Sequence, residues 1–464
     1  MTTRPLWLTS LEALVGAHLC ETRTMCLQEH AVDGLIPSAI VWPETVAQVA
    51  AVLQWAQREK LAVVPFGSGT KIGQGAIPKR VDFVLSTRRL VQISEYDVAN
   101  FTITAGAGTT FAQLMPLTAA HRQMLPLQYP FSPATLGGLI AANAYTPKRV
   151  RYGGVRDLLL GLRIALPSGE IAHFGGKVVK NVAGYDMRKL FLGSLGALGV
   201  IVETTWKLSA LPERDESLLA QFPSLQHGAA AVAQLMATQL LPSQILLLNS
   251  SVAQAIAPDV ASSVASSAVL LLVNCEGMDE AVERQLTDIA RLCQGHGASA
   301  AQVLSGEAQR RLQTRLEALA LSSPLQLDPL TREGLGGKAL TIRLGTLPSR
   351  VHTVMEAATR ALEPLVSRTL IIGDCGVGMV KLCLGSESLT TGAIDAPLVD
   401  ALRQLSGLVA AHGGHAVVEN APPAAKTQLE VWGAPPSSFA LLKALKRKFD
   451  PEGVLSPGRF IGGV

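Results

Sequence analysis

Cysteine is scarce in this chain of 464 residues, and its spacing does not suit a metal. The six cysteines stand at 20, 26, 275, 293, 375 and 383 with no CxxC pair. The spacings of a structural zinc site or an iron–sulfur cluster are therefore absent, and reduced, mostly buried thiols are expected. Aromatic residues are also few. Five tryptophans and five tyrosines, scattered along the chain, offer no base-stacking surface. The net charge is only +4 and there is no basic run, so nothing points to a nucleic-acid partner. Long apolar runs are missing too. The stretch 158–166 contains Arg163 and 268–273 is short, so no transmembrane span is expected. The N-terminus lacks a secretory pattern. Leu8, Leu11, Val15 and Leu19 recur at helical spacing while Glu12 interrupts any signal-like core, which predicts an amphipathic helix and a cytoplasmic protein.

What the chain does have is apolar mass and glycine. Nearly half of it is hydrophobic, and its length suggests roughly two to four domains. Pro43-Glu44-Thr45 opens a helix that Thr45 can cap, with Val46, Val49, Ala50 and Leu53 on one face. A strand over 61–66 then runs into Pro65-Phe66-Gly67-Ser68-Gly69-Thr70-Lys71. Glycines in such a loop expose backbone N–H groups that can cradle phosphate oxygens, although a hairpin turn fits the same residues. The loop is neither a P-loop nor the Rossmann GxGxxG, because position 72 is Ile.

A second candidate is Tyr-Pro-Phe-Ser-Pro-Ala-Thr-Leu-Gly-Gly-Leu-Ile-Ala-Ala-Asn over 129–143. Two prolines stiffen the approach, Gly137-Gly138 removes side chains at the turn, and a helix begins near Leu139. Free N–H groups at that helix mouth would bind an anion such as a diphosphate, although an ordinary tight turn into a helix fits as well. Beyond Pro212 the composition shifts. Helical spacing over 229–240, 280–293 and 352–362 alternates with strands over 244–248, 269–274, 340–344, 370–372 and 379–384. This predicts an α+β domain with one sheet and helices on a face.

Five stretches in this order, PFGSGTK, SPATLGGLIAANA, RYGGVRDLLLGLRIALPSGE, KVVKNVAGYDMRKLFLGSLGALGVI and FDPEGVLSPGRF, resemble the vanillyl-alcohol oxidase family, also called the PCMH-type FAD-binding family. Lys180-Asn181 with Gly184-Tyr185-Asp186 is typical of its glycolate oxidase and D-lactate dehydrogenase branch. The resemblance implies an α+β fold: a PCMH-type FAD-binding domain of two subdomains plus an α/β cap domain with a mainly antiparallel sheet. It divides the chain into an N-terminal helical segment (1–32), the FAD domain (33–211), the cap (212–437) and a C-terminal segment returning to the FAD domain (438–464). Gly67, Ser68, Gly69 and Thr70 would hold the pyrophosphate, flanked by Pro65 and Lys71. Ser132, Thr135, Gly137, Gly138, Ala141 and Asn143 would line the flavin diphosphate and ring, and Gly199 and Ile201 would offer backbone. The FAD would be non-covalent, because Thr70 and Lys71 stand where members with a histidyl link carry His.

Catalytic members of the branch show H-x-G-D-G-N-x-H, which binds a divalent metal, and later a Glu-His pair. Here the matching residues are Ile371-Ile372-Gly373-Asp374-Cys375-Gly376-Val377-Gly378 and Glu419-Asn420. Ile371, Gly378 and Asn420 replace all three imidazoles, so no catalytic base and no metal ligands are expected. His412 and His415 share a face only if their segment is helical, and Gly413-Gly414 argues for a turn. This pattern resembles the FAD-binding subunit of a glycolate oxidase that works beside a catalytic sister FAD subunit and an iron–sulfur subunit. Its membrane association would be peripheral, through the complex. The alternatives are a stand-alone FAD-dependent 2-hydroxy-acid dehydrogenase, with Tyr185, Lys180 or His415 as an unusual base, and a scaffold with a decayed flavin site.

Overall fold

A computed structural model describes residues 5–127, 133–177, 185–258, 268–320, 340–385 and 394–464. The chain divides into two compact units, Met1–Tyr145 with Gly154–Ala210 and Ala434–Val464, and Thr146–Gly153 with Leu211–Gly433.

The first unit holds two sheets. In the smaller, strands run in the order Cys20–Glu21, Ala39–Val41, Phe83–Ser86 and Val63–Phe66, the last two pairings parallel. The helix Val46–Glu59 begins with the expected Thr45 cap, completed into a capping box by Gln48. Val49, Val52, Leu53 and Ala56 share a core with Leu8, Leu11, Val15 and Leu19, so the amphipathic N-terminal helix Trp7–Val15 belongs to this unit's core rather than forming a separate segment. The larger sheet is antiparallel, in the order Ile93–Asp97, Thr102–Gly106, Val200–Lys207, Leu159–Ala165 and Ile171–Gly175.

The C-terminal segment closes this unit. Val63 donates to Val454 O at 2.8 Å, and Ser456 donates back to Val63 O at 2.9 Å. On the helix Phe439–Phe449, the buried Lys446 ammonium donates to Ala197 O (2.8 Å), Leu455 O (2.8 Å) and Asp450 Oδ2 (2.7 Å). The Asp450 carboxylate also accepts the amides of Val454 and Leu455. A buried ammonium survives only with its hydrogen-bonding capacity met, and all three donors are used here.

The second unit is one antiparallel sheet of eight strands, in the order Ala300–Leu304, Arg214–Phe222, Val269–Gly277, Gln244–Leu248, Arg368–Asp374, Met379–Gly385, Leu340–Gly345 and His415–Asn420. Leu225–Met236, Asp279–Gly295, Val351–Leu362 and Ala396–Ala410 cover one face. Ser250–Ile256 and Gly306–Ala320 pack on the other, so the helices are not confined to a single face. Thr146–Gly153 joins this unit although the sequence places it in the FAD domain. The reason is charge: Lys148 Nζ bonds Asp215 (3.1 Å) and Glu276, and Arg151 donates to Glu276 O at 2.6 Å.

Candidate functional site

The strand Val63–Phe66 delivers its loop beside the short helix Leu136–Ala141, and a cleft opens between them. Pro65, Gly67, Ser68, Gly69, Thr70, Lys71, Thr135, Gly138 and Ala141, all expected from sequence, line it. The glycines are sterically required. A Cβ on Gly67 would stand 2.3 Å from Thr135 Oγ1, and Gly69 has φ +78° with a Cβ position 2.7 Å from the Phe66 ring. Among the described residues the amides of Gly67, Ser68, Gly69 and Thr70 donate to no protein acceptor, and the buried Ser68 Oγ has no partner. A buried hydroxyl left unmatched is costly, and the partly buried amides around it are free to donate, so this loop can receive an acceptor-rich group from outside the chain. A diphosphate fits that description.

The helix N-terminus behaves differently from the sequence expectation. The helix starts at Leu136, so Gly137 and Gly138 lie in its first turn rather than before it. Its leading amides are already taken: Leu136 donates to Thr109 O (2.9 Å), Gly137 to Ala107 O (2.9 Å) and Gly138 to Thr135 Oγ1 (3.2 Å). The free donors belong to the 67–70 loop. Gly137 is absent from the cleft lining; its place is close packing, with a Cβ position 2.8 Å from Ala107 Cβ. Asn143, Gly199 and Ile201 also lie outside the lining. Asn143 has φ +45°, Gly199 packs against Ile164, and Ile201 pairs with Ile164 in the antiparallel sheet. Ser132, Lys180, Asn181 and Gly184 lie outside the described residues.

Sequence reasoning missed five lining residues: Phe66, Ile72, Ala142, Leu195 and Arg459. Arg459 is buried, and its Nη2 donates to Ile72 O (2.6 Å) and Gln74 O (2.8 Å), bracing the glycine loop from the chain terminus. It lay within the FDPEGVLSPGRF stretch, but nothing local marks it as part of a cleft formed by residues nearly four hundred positions earlier.

The positions expected to lack catalytic groups are built for other purposes. Ile371 is fully buried in the helix-covered core. Gly378 turns the hairpin between Arg368–Asp374 and Met379–Gly385 with φ +78°, and a Cβ there would stand 2.2 Å from Thr346 O. Asn420 ends the strand His415–Asn420. Beside it the buried Glu419 pairs with Lys381 (3.3 Å) and Arg343 (3.5 Å). His412 sits in the turn after Ala396–Ala410 and His415 starts a strand, with Gly413 at φ +73° between them, so the two do not share a helical face. Tyr185 is 95% exposed. Asp186 instead holds Arg188, whose Nη1 ties to Leu159 O and Leu160 O. Cys375 and Cys383 are buried, and burial pushes the Cys375 thiol pKa up, as expected of an inert thiol. No group of His, Cys, Asp and Glu among the described residues could hold a metal.

Residues 37–175 match the family described as FAD binding domain, and residues 211–460 match FAD linked oxidases, C-terminal domain. The chain belongs to the FAD-linked oxidases. It is an FAD-dependent oxidoreductase chain, and FAD is its cofactor. The chain is 27% identical to "Glycolate oxidase subunit GlcD" of Bacillus subtilis over 437 residues, covering 91% of this chain and 89% of that protein. It is 27% identical to a D-lactate dehydrogenase of Archaeoglobus fulgidus over 428 residues, covering 91% of each. Among solved structures, p-cresol methylhydroxylase with substrate bound superposes with a TM-score of 0.74 at 17% identity, over 97% of this chain and 95% of that one. That likeness establishes the PCMH-type fold expected from sequence.

Proposed function

We propose that this FAD-linked oxidase chain is the cofactor-holding subunit of a complex that oxidises a 2-hydroxy acid such as glycolate, with hydride abstraction left mainly to a sister subunit. One contrast carries the reading: the loop at 67–70 retains its free donors, while the three positions expected to carry imidazole hold Ile371, Gly378 and Asn420. Bound FAD supplies a two-electron acceptor. The chain's own part is to bind and orient it. The amides of Gly67 to Thr70 and the Ser68 hydroxyl donate to the diphosphate, while Arg459 keeps the loop in shape. The flavin would be held non-covalently, since no histidine stands in the loop. A general base near working pH is the missing part.

The substrate class rests on relatives named as a glycolate oxidase subunit, D-lactate dehydrogenase and D-2-hydroxyglutarate dehydrogenase. The partners in this reading are a sister FAD subunit and an iron–sulfur subunit. A stand-alone 2-hydroxy-acid dehydrogenase is the second reading, favoured by near-complete coverage of relatives that bear dehydrogenase names. A decayed scaffold is disfavoured by the intact glycine loop. The purified chain, loaded with FAD and given glycolate or D-lactate without oxygen, tests the choice. An oxidised spectrum that persists supports the subunit reading, and bleaching supports the dehydrogenase.

A further inference from the structure

The eight-stranded sheet of the second unit has two outer strands, and they are finished differently. At one end, His415–Asn420 is covered: Val418 donates outward to Val431 O at 2.8 Å. At the other, Ala300–Leu304 pairs only with Arg214–Phe222. Alternate residues of such a strand point their N–H and C=O groups away from the sheet. Among the described residues nothing accepts from or donates to that outer side. The strand reads Ala-Ala-Gln-Val-Leu, with no charge and no proline, and Ala300 to Val303 are exposed, Val303 by 44%. Two other edge strands of the first unit carry such protection. Val63–Phe66 contains Pro65 and is covered by the C-terminal segment, and Ile93–Asp97 carries Glu95 and Asp97. Proteins that stay apart guard such edges with charge, proline or a covering segment.

We propose that Ala300–Leu304 is a strand-pairing surface and that its occupant is the same strand of a second copy of this chain. Antiparallel self-pairing about Gln302 sets Ala300 opposite Leu304 and Ala301 opposite Val303. No charge meets its like, and the outward backbone groups are satisfied on both copies. The operation is a closed twofold, so two sheets become one and assembly stops at a dimer. Five residues span only about 17 Å, and a stable interface buries about 800 Å² per partner, so neighbouring surface has to contribute. The helix Asp279–Gly295 packs beside this strand and exposes both signs of charge, Glu280, Glu283, Arg284 and Arg291, which is compatible with a self-facing surface.

Light scattering after size exclusion tests this on the full FAD-loaded chain across a concentration series. The expected result is a mass that rises to twice the chain mass. Val303→Lys and Ala301→Lys each place a charge on the edge and should return the mass to that of one chain. Flavin absorbance and melting temperature should stay unchanged, because both positions are exposed and remote in sequence from the cofactor loop. A wild-type chain that stays monomeric throughout overturns the proposal, as does a dimer that both lysine variants leave intact. Neither result bears on the flavin reading.

Discussion

At the scale of the residue, the cofactor site comes down to which polar atoms lack a protein partner. Ser68 Oγ is buried and unmatched among the described residues, so its removal costs the protein no internal bond. Ser68→Ala is therefore expected to fold as the parent does and to bind FAD about tenfold more weakly, the loss of one hydrogen bond of roughly 1.4 kcal/mol to a charged acceptor. Fluorescence titration of the apoprotein with FAD, beside thermal melting, separates the two effects. Asp186 behaves in the opposite way, because its partners are internal. The hydrogen bond from Arg188 comes first among the causes that hold its carboxyl down at about 2, below the usual 3.8. A carboxyl whose pKa is depressed on folding contributes stability above its unfolded value and loses it as pH falls toward the folded one. Asp186→Asn should therefore lower the melting temperature at neutral pH, and the gap from wild type should close between about pH 4 and 2. A gap that is constant with pH would contradict this account.

At the scale of the element, glycine decides what each segment can do. The sequence offered two candidate anion cradles, the glycine loop at 67–71 and the mouth of the helix that follows Gly137-Gly138. The free donors stand in the first of these, because Thr109 O, Ala107 O and Thr135 Oγ1 have already claimed the leading amides of the helix Leu136–Ala141. That bonding comes from a strand end about thirty residues earlier, and no local pattern reveals it. Glycine also decides the hairpin at 374–379. Gly378 has φ +78° and no room for a Cβ, and Ile371 faces a packed helical layer. Restoring the missing imidazoles by Ile371→His with Gly378→His is thus expected to destabilise the second unit by several kcal/mol through burial and backbone strain, without gain of hydroxy-acid oxidation. Melting curves and turnover assays of the double variant would check this. Wild-type stability together with new activity would show that these positions are vacated ligand sites after all.

At the scale of the whole molecule, the apolar pattern carried the reading, by period where burial is one-sided and by a continuous run where both faces are covered. The helices Val46–Glu59 and Asp279–Gly295 and the strand Gln244–Leu248 were legible because their apolar residues repeat at 3.6 or form a continuous run. Arg214–Phe222 was not, because its first half is Arg-Asp-Glu-Ser. Of these, Glu216 and Ser217 are buried and Asp215 half-buried, held by partners distant in sequence, as Asp215 meets Lys148 and Asn274 and Ser217 meets Asn274. The same long-range charge draws Thr146–Gly153 into the second unit. Of the site, the glycine loop was legible, whereas Arg459 was not assigned to it, since its role appears only when the terminal segment folds back.

The central claim is that the chain holds FAD without itself taking hydride from a 2-hydroxy acid. The most direct test is the absorbance spectrum of the chain purified alone, recorded without oxygen before and after adding glycolate, then D-lactate. A yellow protein whose flavin bands persist, and which bleaches when a catalytic sister subunit is added, is the predicted result. Rapid bleaching of the isolated chain would contradict it, and would mean that a base other than the absent histidines serves the flavin.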